Sequence, residues 1–153
     1  MTVQGTPLLE VEDGFRAIIV PLLEALTPAI PFSNNDLLPN TKMPYVTLGE
    51  TRAYDDEEAS TKDKVAYKCF VEVECWSDSG DKTQAGELLN SISAALLAGV
   101  TSAVAVTGYN AWTPVKLRQC SLMRSEHPEA GFGGYAYLGL ASFEIRISEL
   151  EER

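Results

Sequence analysis

With 153 residues, 45% of them hydrophobic and 22% charged, the chain is long enough for one domain that buries roughly 70% of its unfolded surface without a disulfide or metal staple. Twenty-two acidic residues against twelve basic ones give a formal charge of -10. That balance argues against a surface that wraps nucleic acid and against electrostatic docking on anionic lipid, both of which need basic patches; it does favour solubility.

The start, "MTVQGTPLLEVEDGF", lacks the basic opening and apolar core of a signal peptide, so none is expected. No apolar run approaches the ~20 residues needed to cross a bilayer. The first helical pattern covers about 10 to 26, where Phe15, Ile18, Ile19, Leu22, Leu23 and Leu26 recur at spacings of three and four. Asp13 is placed to cap it, and Pro21 to kink or split it. Residues 27–44 hold four prolines and read as a long connection pinned by scattered apolar side chains. "PYVTLGETRAY", 44–54, reads as a strand that Pro44 opens. The charged run "DDEEASTKDK", 55–64, reads as the tip of a long hairpin.

"YKCFVEVECW", 67–76, then alternates. Tyr67, Cys69, Val71, Val73 and Cys75 commit one face of a strand 66–77 to the core. The other face carries Lys68, Phe70, Glu72, Glu74 and Trp76, acids mixed with large aromatics. A helix follows, with Ala85, Leu88, Leu89, Ile92, Ala95 and Leu96 as its buried stripe. Ser79 or Asp81 is placed to cap it, Gln84 to complete a capping box with Asp81, and Gly99 to end it. Residues 100–113 read as either a short strand or a loop. Strands are expected over 114–126 and 135–148, joined by the glycine-rich turn "EAGFGGY" and followed by a solvated tail, 149–153. The expected fold is α+β: a two-layer sandwich with a four-stranded, mainly antiparallel sheet covered on one face by two helices, in the order α-β-β-α-β-β. It is one domain, with a core of about 10–148.

The search for chemistry ends empty. His127 is the only histidine, and its setting before Pro128 offers neither a nucleophile nor an orienting carboxylate. "GFGG", 131–134, lies between two strands, whereas a phosphate loop needs a helix start behind it. "DDEE", 55–58, lacks the alternation and glycine of a calcium loop. Cys69 and Cys75 stand about 20 Å apart along one strand, too far to bridge. With Cys120 they read as buried, reduced thiols of a protein made in the cytosol. No cofactor, metal or catalytic role is expected, and an interaction role gains weight.

The order of these signals resembles the tail-completion, or tail-terminator, proteins of long-tailed bacteriophages. Pro44, Tyr45, Val46, Gly49 and Glu50 match a P-Y-V strand that ends in G-E. Val71, Val73, Trp76 and Ser77 match a V-x-V-x-x-W-S strand, and Ala85, Ile92 and Leu96 suit the helix that follows. The likeness covers about 10–148 and is densest over 44–97. It implies a virion protein that is not an enzyme, made in the host bacterial cytoplasm and placed in the tail at the head–tail junction. Such a protein closes the tail tube, joins tail to head, and assembles as a homo-oligomeric ring, typically of six, through which DNA passes without specific binding. Its partners are then itself, the tail tube protein and head–tail connector proteins, with no membrane. A head-side connector or neck protein of the same particle is the alternative, as is a small cytosolic binding module. Candidate interface residues are the charged tip 54–64, with Asp55, Asp56, Glu57, Glu58, Lys62, Asp63 and Lys64, and the aromatics Phe70 and Trp76. The tip is expected to be mobile in the isolated subunit, for want of apolar side chains. Trp76 either joins an interface or covers the sheet end beneath the following helix.

Overall fold

The computed structural model describes residues 6–33, 43–61, 64–78, 82–98, 102–126 and 135–150. The alternation of 66–77 forms a strand, Ala66–Ser77 (β3), whose Cys69, Val71, Val73 and Cys75 are sealed from solvent. Tyr67, the fifth member of that face, is half-buried against the same core. β3 lies between two long antiparallel neighbours, Tyr45–Asp55 (β2) and Tyr135–Glu149 (β6). Val71 stands opposite Phe143, and Cys69 opposite Ile145, so the apolar face of β3 continues onto β6. Lys116–Glu126 (β5) pairs antiparallel with the first part of β6.

The expected four-strand sheet needs correction. The described residues form six strands in one sheet, in chain order α1-β1-β2-β3-α2-β4-β5-β6. Phe32–Ser33 (β1) adds a two-residue parallel strand to the outer edge of β2. Tyr109–Ala111 (β4) pairs with the end of β6, on the same side as β5. β4 and β5 thus divide one edge of β6 between them. The strand end also differs: Glu149, assigned to the solvated tail, closes β6, and its N–H donates to the Val65 carbonyl at 3.0 Å.

Both helices cover the same face. Helix α1 spans Leu8–Glu24 and buries Val11, Phe15, Ile19 and Leu23, each four residues after the last, so that they lie along one face. Phe15 packs on Phe143 with ring centroids 6.2 Å apart; complete burial of such a side chain contributes about 2–3 kcal/mol. Pro21 does not split the helix, which runs on to Glu24 and ends within a turn of it. Asp13 caps nothing. It lies in the second turn and accepts a hydrogen bond from Arg16 at 2.8 Å. Gly14 is buried where α1 crosses the segment around Val104 and Ala105; a Cβ there would meet the Ala105 carbonyl oxygen at 2.4 Å. Helix α2, Thr83–Leu96, buries Ala85, Leu88, Leu89, Ile92 and Leu96 over β3 and β6. Gln84 Oε1 accepts a hydrogen bond from Ser77 at 2.5 Å, tying the end of β3 to the start of α2. Ser79, Asp81 and Gly99 lie outside the described residues.

Candidate interface surfaces

The face of the sheet away from the helices answers what the second set of β3 side chains does. Trp76 belongs to that face and not beneath α2. Register places Tyr45, Trp76, Leu138 and Met123 side by side across β2, β3, β6 and β5. Tyr45 and Trp76 stack at 6.4 Å with their planes 25° apart. Burial, with Glu74 nearby, pushes the Tyr45 hydroxyl up to about 12. The Trp76 indole N–H donates to Glu74 Oε1 at 3.1 Å. Further along, Phe70 meets Tyr54 edge-on at 5.8 Å, with the Arg52 guanidinium over its ring. Between these two aromatic groups lie Glu72 and Glu74, their carboxylates crowded against Gly49. A Cβ at Gly49 would stand 2.6 Å from Glu74 Oε2 and 3.0 Å from Glu72 Oε2. The β2 irregularity between Leu48 and Thr51 falls at this point. Burial raises the Glu74 pKa, the Trp76 hydrogen bond opposes that rise, and the Glu72 charge adds to it. This face is therefore aromatic at two places and acidic between them.

The hairpin tip is only partly what its composition implies. Asp56, one of the candidate interface residues, is only 3% exposed. Its carboxylate meets Arg146 of β6: NH2 donates to Oδ1 at 3.3 Å, and Nε lies 3.1 Å from Oδ2, close enough for an ion pair but off the hydrogen-bond axis. The Arg146 guanidinium also lies over the Trp112 ring, 5.2 Å from its centroid. The turn is held by Ala59 and Ser60 N–H groups donating to the Asp56 carbonyl, and by the Ser60 hydroxyl donating to Asp55. Asp55, Glu57 and Glu58 are exposed, and Lys64 is half-buried. Lys62, Asp63 and His127, with the glycine segment 131–134, lie outside the described residues.

A surface that sequence reasoning did not single out is the edge strand β5. It exposes Leu117, Leu122 and Met123 by 39–43%, and among the described residues only β6 pairs with it. Cys120, expected to be buried, is exposed there. Cys69 and Cys75 are buried, and desolvation pushes both thiols up to about 12; Glu74 adds to the rise at Cys75. They are packing residues, far from the range of a reactive thiolate. Among the described residues no three His, Cys, Asp or Glu side chains converge to hold a metal ion, and no described helix is long and apolar enough to cross a membrane.

Aromatic patches and open strand edges are features enriched where partners meet. The family of tail completion protein gp17 matches residues 20–118. The chain belongs to that family and is a structural protein of a phage tail, which is not an enzyme class. A chain of a native gene transfer agent virion particle has the same fold, with a TM-score of 0.62 at 16% identity over 90% of this chain and 97% of that one. A second solved chain gives a TM-score of 0.54 at 16% identity over 97% and 100%. No curated protein matches the sequence.

Proposed function

We propose that the chain closes the tail tube at its head-facing end and joins tail to head as a closed ring of six copies, through which the genome passes. The observation that carries this reading is the family match over 20–118, and three features of the molecule support it. A virion particle contains a chain of the same fold. A closing head-to-tail ring needs two different patches on each subunit, and this sheet has two different edges, one at β2 and one at β5. The helix-free face is acidic at its centre, at Glu72 and Glu74, and with the net charge of -10 it disfavours arrest of a passing polyanion.

Within this reading, the exposed Glu57 and Glu58 of the hairpin tip touch a neighbouring tail or connector protein, where acids set register and encounter rate more than affinity. Phe70 and Trp76 supply the apolar part of an interface on the helix-free face of the sheet. Deleting the gene from its phage tests the reading. Filled heads and tails of normal length should then accumulate apart, and added purified protein should join them. Heads that cannot retain DNA, alongside competent tails, would instead assign the chain to the head side.

A further inference from the structure

From the edges of the sheet we infer that neighbouring copies join by adding the β2 edge of one copy to the β5 edge of the next. This rests on the ring reading above and names its seam. β5 is eleven residues long, its outer edge has no strand beside it among the described residues, and it exposes Leu117, Leu122 and Met123. A long apolar edge of this kind is a template for another strand. The opposite edge is open as well. β1 pairs with β2 only at Val46 and Thr47, which leaves Leu48–Asp55 uncovered among the described residues. A groove of about 230 Å³, lined by Thr6, Leu8 and Thr51–Tyr54, runs beside that stretch and offers room for an incoming side chain.

Charge selects the partner. In a chain of net charge -10, β5 carries Lys116, Arg118 and Arg124 against a single acid, Glu126, with Arg118 already ion-paired to Glu144 of β6 at 2.6 Å. Pairing β5 with a second β5 antiparallel about its centre, Ser121, would set Arg118 opposite Arg124, which destabilises a ladder, as well as Lys116 opposite Glu126, which stabilises it, so β5 gains no net charge complementarity from itself. The open part of β2 carries Glu50 and Asp55 against Arg52, the opposite sign. Direction agrees too. β2, β3, β6 and β5 alternate in direction, so β5 runs opposite to β2. Copies related by rotation about an axis along the strands then bring β5 antiparallel to the next β2, and the sheet continues unbroken around the ring.

The test places cysteines on the helix-free face of both edges, Tyr54→Cys and Ser121→Cys, in a Cys120→Ser background. A short bismaleimide is applied to the full chain in assembled particles and to any oligomer that native mass spectrometry detects. The double variant should give a ladder of covalent multimers up to the full ring, while each single-cysteine variant stays monomeric. Dimers from Ser121→Cys alone would show β5 pairing with itself and overturn the proposal. Closed rings with no ladder would overturn the seam while leaving the ring intact. Monomers alone, by mass and in particles, would overturn both.

Discussion

Arg146 and Asp56 form an ion pair across the end of the sheet, Nε to Oδ2 at 3.1 Å, although they stand ninety positions apart in the chain. Asp56 is almost wholly withdrawn from solvent and Arg146 largely so. The pair anchors a hairpin tip that has few apolar side chains of its own. Removing one partner strands the other's charge, which costs more than the pair itself contributes. Asp56→Ala should lower stability by about 1–3 kcal/mol, with Trp112 and the more distant Glu58 still holding the guanidinium. Thermal unfolding measures it. An unchanged melting temperature would mean that the pair does not anchor the tip.

Glu57 and Glu58 sit on the same turn but are exposed. Reversing the charge that no ion pair uses, Glu57→Lys, with Glu58 kept because it lies 3.7 Å from Arg146, should leave stability within about 0.5 kcal/mol, as for most surface changes. It should nevertheless reduce the joining of heads to tails several-fold. Normal yields of infectious particles from this variant would reduce the tip to a solvated loop.

Sequence patterns show the long strands because each spans several periods of two. The expected strand 66–77 is β3 itself, and 135–148 falls one residue short of β6. β1 and β4 have two and three residues, too few for any period to register, so the sheet gains two strands that no alternation announces. Asp56 departs from a solvated tip for a different reason. Its burial depends on Arg146, which local composition does not reveal, and a run of acids reads as solvated. The mixed face of β3 was legible as unusual. That Trp76 lies away from α2, stacked on Tyr45, required the register. The exposure of β5 follows from its place at the edge, a property of strand order and not of the residues in the strand.

Gly14 sets helix propensity against packing. Alanine is favoured over glycine in a helix by about 1 kcal/mol, so propensity alone predicts that Gly14→Ala stabilises α1. The added Cβ would stand 2.4 Å from the Ala105 carbonyl oxygen and 2.8 Å from Val104 Cγ1. Backbone on one side leaves little room to relax, and overpacking of this kind costs roughly 1–3 kcal/mol. The steric effect outweighs the propensity gain, so the variant should melt lower. A higher melting temperature would show that the 104–105 segment yields.

Glu74 gives the fold a dependence on pH. Its folded pKa lies above the ordinary 4.5, chiefly through burial. A carboxyl with a raised folded pKa holds its proton more tightly in the folded state. It therefore imposes no penalty below the unfolded value and destabilises as pH rises through the folded one. Glu74→Gln keeps an acceptor for the Trp76 N–H and removes the charge beside Glu72. The variant should melt higher than the parent at neutral pH, and the difference should vanish below about pH 4. Partial exposure lets solvent screen the repulsion, so the gain should stay under about 1 kcal/mol. A variant that melts lower at neutral pH would mean that the carboxylate is needed in its charged form.

A reconstruction of the phage particle at the head–tail junction decides whether the proposed ring exists. A closed ring of six copies capping the tail tube, with the genome path through its centre, is expected. One or two copies at that position, or density for this fold elsewhere in the particle, would rule the ring out.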